Sequence, residues 1–191
     1  MEIMQGSLLG TDNDIKRRKG LAINVILKLK YIFDNKRIHT TMKLRVFNAY
    51  VASIYLYNSE LWTITKTLKN NIDSFQRRIL RTNVLNVRWP KTLSNEQVYE
   101  RTKTEKWSLT IHKRRLRWFG HVARMSPSTP ARQALHYGLQ QYARRAGRPQ
   151  LTWIKLMTDQ LKSINLTWQE AFEKAQNRVQ WREVCTTFIN M

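Results

Sequence analysis

Cations are the residues best suited to chemistry in this sequence, and the densest group of them lies near its middle. The stretch 111–125 reads IHKRRLRWFGHVARM and carries Lys113, Arg114, Arg115, Arg117 and Arg124. Apolar residues recur through it at the spacing of one helical stripe, namely Trp107, Ile111, Trp118, Val122 and Met125. Such a helix packs on a core through one side and offers phosphate-binding ammonium and guanidinium groups from the other. We therefore predict a helix that binds a polyanion.

Further basic and aromatic residues extend this candidate nucleic-acid-binding set. The additional members are Lys16, Arg17, Arg18, Lys19, Arg77, Arg78, Arg81, Arg144, Arg145 and Arg148, together with Trp118 and His121. The four cations at 16–19 fall in the first turns of a predicted helix, where they oppose the helix dipole, and this conflict favours a ligand. Two interpretations of Trp118 and of Trp107 stay open, base stacking or a place in the core, because a tryptophan in an apolar stripe belongs more often to a core than to a base-stacking site.

Residue sets that make or break bonds are missing from the sequence. An enzyme that joins nucleotides holds two divalent ions with carboxylates, and the one close acidic pair, Asp12 and Asp14, is more simply a helix cap. The four histidines and the single cysteine, Cys185, show no zinc-binding spacing, and no glycine-rich phosphate loop occurs. We therefore predict no catalytic residue, no metal site and no cofactor.

The charge of the chain indicates the same class of partner. Its formal net charge is +21 over 191 residues, and residues 71–150 carry 17 Lys or Arg against 4 Asp or Glu. A field this concentrated attracts nucleic acid, and less readily an anionic membrane surface. No apolar run approaches the roughly 20 residues that span a bilayer, so we expect an intracellular protein of the nucleus or cytoplasm. The expected partner is RNA, DNA or their hybrid, with no membrane and no small-molecule substrate.

Hydrophobic periodicity predicts an all-α fold of seven or eight helices around a core. The expected helices lie at about 14–33, 40–58, 67–80, 94 onward, 105–125, 130–137, 151–164 and 167–188. Capping boxes begin the helices at Ser94 and Thr167, and Pro130 is placed as a first helical residue. Asn58 tolerates the left-handed conformation that ends a helix. Residues 7–10 fit a short strand end and turn.

Several strings in fixed order resemble one known family. They are LLG and IKRRKGLA within 8–22, KLRVFNAYVASIYLYNSELWTITK at 43–66, RRIL and NVRWPKTLSNEQVYERT within 77–102, RRLRWFGHVARM at 114–125, AGRPQLTW at 146–153, and LTWQEA and AQNRVQWRE within 166–183. Together they resemble the C-terminal region of the endonuclease–reverse transcriptase of non-LTR retrotransposons, the LINE elements of the RTE and related clades. Each string alone is weakly specific, and six in the right order make a chance match improbable.

This resemblance implies a division of the chain and a role for each part. Residues 1–13 correspond to a remnant of the last palm strand and turn, and 14–83 to the helical thumb that holds primer–template. Residues 84–191 correspond to a C-terminal extension that binds element RNA or target DNA. The sequence pattern divides this extension into a basic helical region that binds nucleic acid at 84–137, a basic linker at 138–150 and C-terminal helices at 151–191. The palm aspartates have no counterpart here, so the resemblance implies no polymerase activity for the isolated chain.

Four functions remain as alternatives at the level of sequence. The first is a module that grips the phosphate backbone without a catalytic centre of its own. The second is a decayed retroelement remnant with no selected activity. The third is part of an active RNA-directed DNA polymerase whose palm is encoded upstream, and the fourth is a basic protein of membrane surfaces. The start of the match close behind Met1 fits a truncated element copy or a fragment.

Overall fold

The structure, a computed structural model, describes residues 8–140 and 151–187, and these residues form helices with no strand among them. The α-helices are α1 Leu8–Lys28, α2 Lys30–Asp34, α3 Thr40–Val46, α4 Ser53–Tyr55, α5 Lys66–Ile79, α6 Asn95–Thr102, α7 Trp107–Ala123, α8 Pro130–Gln140, α9 Trp153–Ser163, α10 Trp168–Gln176 and α11 Arg178–Thr187. Two π-helical turns at Phe47–Ala52 and Leu80–Val84 follow α3 and α5, and a 3-10 turn lies at Ser59–Leu61. The all-α prediction is confirmed.

The chain packs as two compact units. The N-terminal unit consists of Asp12–Tyr57 and Lys66–Thr110, and the C-terminal unit consists of the described parts of Met1–Thr11, Asn58–Thr65 and Ile111–Met191. These units have other bounds than the five regions expected from the sequence. The border expected at residues 83–84 lies inside the N-terminal unit, because α6 packs against α3 and α5.

Local signals in the sequence place several helix ends correctly. The side chain of Ser94 and that of Gln97 form both hydrogen bonds of a capping box at the start of α6, and Thr167 begins α10 in the same way. Pro130 is the first residue of α8. Asn58 adopts the left-handed conformation with a φ of 57°. Each signal depends on residues close in sequence, so it can be recognised without knowledge of the tertiary structure.

Three local predictions are wrong. Residues 8–10 belong to α1 rather than to a strand end, and the hydroxyl of Thr11 lies 2.9 Å from that of Thr63 within the C-terminal unit. Because α1 begins at Leu8, Asp12 and Asp14 lie inside the helix and cannot cap it. Gly138 also continues α8 instead of opening a linker. The rest of the predicted linker, 141–150, lies outside the described residues.

Aromatic rings form the centre of the N-terminal unit. The indole of Trp107 stacks on Phe47 at 5.6 Å and on Tyr55 at 4.6 Å between ring centroids, and Tyr55 lies 5.1 Å from Phe75. All four side chains are buried. Aromatic pairs at these separations stabilise a core beyond the burial of their area. The first residue of α7 therefore belongs to this core.

Two side chains of α5 accept hydrogen bonds from the first residues of α7. The carboxylate of Asp73 accepts hydrogen bonds from the main-chain N–H of Ser108 at 2.9 Å and from its hydroxyl at 2.7 Å. The amide oxygen of Gln76 accepts from the N–H of Trp107 at 2.8 Å. The first N–H groups of a helix have no partners in its own backbone. A carboxylate there accepts hydrogen bonds from them and also interacts favourably with the positive end of the helix dipole. These bonds fix α7 to α5.

The C-terminal unit is built where α11 lies close against α7. A methyl group added at Gly120 would stand 2.1 Å from the indole nitrogen of Trp181, so only glycine fits beneath this ring. The same nitrogen donates a hydrogen bond of 2.9 Å to the carbonyl of Leu116. Phe119 lies beside the Trp181 ring at 5.2 Å and beside Phe172 at 5.1 Å. Close backbone approach therefore decides this packing.

Candidate nucleic-acid interface

Arg115 is buried, and the prediction that it contacts phosphate is wrong for this structure. Only 1% of the residue is exposed, and its guanidinium donates hydrogen bonds of 2.8 Å to the carbonyl of Trp62 and 3.4 Å to the amide oxygen of Gln160. Burial lowers the pKa of this guanidinium to about 10. Among the described residues it has no carboxylate partner. The side chain joins the segment before α5 to α7 and α9 instead of facing a ligand.

Other predicted site residues are engaged with the protein itself. Arg124 donates a hydrogen bond of 2.7 Å to the carbonyl of Ala175, and Gln176 returns one of 3.1 Å to the carbonyl of Ala123. Arg81 donates to the carbonyl of Leu93 at 3.1 Å. The carbonyl of Ala175 is among the last of α10, so the bond from Arg124 stabilises that helix end, and the bond from Arg81 fastens the loop before α6. Both arginines therefore serve folding before any ligand.

The basic cluster at 16–19 contains cations with and without a carboxylate partner among the described residues. Lys16 forms a salt bridge with Asp12, and Arg18 forms one with Asp14, each one helical turn apart. The guanidinium carbon of Arg18 also lies 4.5 Å from the centroid of the Tyr57 ring. Since α1 begins at Leu8, these cations stand well inside the helix, and the predicted conflict with its dipole is wrong. Arg17 in this cluster is exposed.

Lys19 of α1 and Arg78 of α5 converge on one aromatic ring. The Lys19 nitrogen lies 5.3 Å, and the Arg78 guanidinium carbon 6.0 Å, from the centroid of the Phe75 ring. Both cations are exposed, and neither forms a salt bridge with a described carboxylate. We call this pair the α1–α5 cation pair. It places exposed positive charges from two separate helices at one ring, and cations of this kind are the groups that contact phosphates.

A second basic group lies in the C-terminal unit around Cys185. Burial raises the pKa of this thiol to about 11, and the positive charges of Arg117 and Arg124 oppose that rise. The pKa of Arg124 is lowered mainly by burial and further by the charge of Arg178. Arg117 and Arg178 are exposed. Arg178, the first residue of α11, was not among the residues predicted from the sequence, although it lies next to a buried stripe.

The remaining predicted residues take varied positions. Trp118 is half-buried against the core of the C-terminal unit, and its ring lies 5.8 Å from that of the exposed His121. Lys113 and Arg114 are half-buried. Arg77 is also half-buried and lowers the pKa of the Tyr99 hydroxyl, against a larger rise from burial. The predicted Arg144, Arg145 and Arg148 lie outside the described residues.

The described residues contain neither a metal-binding group nor a membrane-spanning helix. Within 8–140 and 151–187, no group of His, Cys, Asp and Glu is arranged to hold a metal ion. Across the same residues, no helix combines the length and apolarity needed to cross a membrane. No protein-family model, curated protein or solved structure matches this chain.

Proposed function

We propose that this chain is a nucleic-acid-binding fragment of a non-LTR retrotransposon reverse transcriptase, the thumb with its C-terminal extension. It grips the phosphate backbone of RNA or of primer–template and has no catalytic centre of its own. The observation that carries the proposal is the α1–α5 cation pair, in which Lys19 and Arg78 each lie against the ring of Phe75 and stay exposed. Neither cation forms a salt bridge with a described carboxylate, so both charges are available to an anionic strand.

The charge of the N-terminal unit supports the same partner. Its two stretches contain 20 Lys or Arg against 7 Asp or Glu. Two of those carboxylates, on Asp12 and Asp14, already pair with cations of α1. Binding to a phosphate backbone gains free energy by releasing the counterions of the strand, so a large excess of cations favours this class of ligand.

The order of sequence strings supports the retroelement origin, and the engaged carboxylates support the absence of catalysis. Nucleotide transfer needs acidic side chains that converge on two metal ions. Asp12 and Asp14, the one close acidic pair in the sequence, point to neighbouring cations along α1. A polymerase reaction would therefore depend on a palm supplied by another part of such a protein.

Fluorescence anisotropy with labelled strands tests the proposal. Single-stranded RNA, single-stranded DNA, an RNA–DNA hybrid and duplex DNA are titrated with the full chain at increasing salt. If about six cations meet phosphates of duplex DNA, the logarithm of the association constant falls against the logarithm of salt with a slope near −5. Binding that does not depend on salt, or no binding to any of the four strands, would refute the proposal.

A further inference from the structure

Trp89 is the most exposed large apolar side chain among the described residues, at 89%. The other six tryptophans of the chain are buried or half-buried. Burial of an indole removes a large apolar surface from water and is favourable. Folding alone therefore gives no reason to leave this ring exposed. Its nearest neighbours in sequence include Arg88 and Lys91, both also exposed. This combination indicates a ligand that is both flat and anionic.

The loop before Trp89 is fastened to the end of α2. The side-chain amide of Asn86 donates a hydrogen bond of 3.0 Å to the carbonyl of Phe33. The guanidinium of Arg88 lies 3.5 Å from the carboxylate of Asp34. This part-buried hydrogen bond opposes movement of the loop because breaking it leaves the carbonyl less well satisfied. The approach to the indole is therefore fixed.

The loop after the indole is fastened as well. The main-chain N–H of Lys91 donates to the carbonyl of Arg88 at 3.0 Å and closes a tight turn with the indole on it. Two residues further on, the guanidinium of Arg81 donates to the carbonyl of Leu93 at 3.1 Å and to the side chain of Asn95 at 3.2 Å. The exposure of the ring thus comes from a constrained turn and not from a loose loop.

We propose that Trp89 stacks on an unpaired base of single-stranded nucleic acid while Arg88 and Lys91 contact the phosphates on either side. Stacking needs only a π-face, which every base presents, and flanking cations draw the backbone to the ring. The proposal rests on the proposed function and adds to it a preference for strands with unpaired bases. Base-paired duplex leaves no free base face for this ring.

Three variants and two kinds of strand separate stacking from charge. Trp89→Ala removes the ring, Trp89→Phe keeps a smaller one, and Tyr137→Ala removes an exposed aromatic ring whose sequence neighbours include no Lys or Arg. Each is titrated with oligouridylate, with oligothymidylate, and with an abasic phosphodiester chain of the same length, about 15 nucleotides, a span typical of such sites. Comparison of the two base-bearing strands shows whether RNA or DNA binds better.

We expect Trp89→Ala to weaken binding of the base-bearing strands by roughly 5- to 100-fold, and Trp89→Phe to weaken it less. The abasic chain should bind the wild type and Trp89→Ala with equal affinity. Tyr137→Ala should change the affinity neither for the base-bearing strands nor for the abasic chain. Unchanged binding of the base-bearing strands by Trp89→Ala overturns the stacking inference and leaves the proposed function intact. If the wild type binds no strand, the proposed function itself fails.

Acrylamide quenching of tryptophan fluorescence gives an independent readout. Because Trp89 is the one strongly exposed tryptophan, it dominates the quenchable emission, and Trp89→Phe should abolish most of that fraction. We expect oligouridylate or oligothymidylate to protect this emission and phosphatidylserine vesicles to leave it quenchable. Protection by the vesicles alone would overturn the inference and assign the ring to a lipid surface.

Discussion

Two pairs of cations, one in each unit of this molecule, are used in opposite ways. In the N-terminal unit, Lys19 and Arg78 stand over the face of Phe75 and remain exposed. In the C-terminal unit, Arg115 and Arg124 of α7 donate to main-chain carbonyls, and Arg115 is buried. A dense basic run on one helix is therefore not the same as a basic surface. In α1 and α5, Lys19 and Arg78 remain for a ligand because they are exposed and form no salt bridge with a described carboxylate.

The largest expected effect tests the close packing of the C-terminal unit. Gly120→Ala should destabilise the protein by roughly 3 kcal/mol or more, because the new methyl group overlaps the indole of Trp181 and displaces its hydrogen bond. The matched control is Gly20→Ala in α1, where nothing lies within 4 Å of the added carbon. That change should stabilise the protein slightly, since alanine favours a helix. Urea denaturation measures both, and equal effects would contradict the packing.

The second prediction concerns Cys185, whose pKa burial raises from 9.0 to about 11. At pH 8 its thiolate fraction in the folded protein should be about 100-fold lower than in the unfolded chain. The rate of alkylation by iodoacetamide should therefore rise with pH until about 11 in the folded protein and level off near 9 in urea. Because ionisation is easier in the unfolded chain, this thiol lowers the stability as pH rises from 9 toward 11. Equal midpoints would contradict its burial.

The third prediction compares two arginines of one helix. Arg115→Ala should cost about 2 kcal/mol of stability, because it leaves a cavity and the carbonyl of Trp62 without its donor, offset in part by removal of a buried charge. Arg117→Ala, at an exposed position, should change stability by less than about 0.5 kcal/mol. Thermal unfolding by circular dichroism measures both. Equal losses would mean that burial does not separate the two residues.

Much of the fold could be predicted because its signals are local. The capping boxes at Ser94 and Thr167, the first-turn position of Pro130 and the left-handed Asn58 each depend on neighbours within one turn. The bonds from Asp73 to the start of α7 could not be predicted, since they join residues 35 positions apart. Nothing in the sequence of either helix announces that pairing.

The position of Arg115 within the apolar stripe of α7 is a sequence signal for its burial. Ile111 and Trp118 are seven residues apart, and position 115 lies between them at helical spacings of four and three. An arginine on an apolar stripe indicates either an interruption or a buried side chain with polar partners. Those partners, Trp62 and Gln160, are 53 and 45 positions away, so the sequence alone could not supply them.

Salt dependence of duplex DNA binding tests the central claim most directly, when it is measured on two variants with equal loss of charge. One variant combines Lys19→Ala with Arg78→Ala, and the control combines Lys162→Ala with Lys174→Ala, two exposed lysines of the C-terminal unit. If the α1–α5 cation pair contacts phosphates, its loss should make the log–log slope shallower by about 2, and the control should keep the wild-type slope. Equal slopes for the two variants would show that the pair does not bind the backbone and would contradict this account.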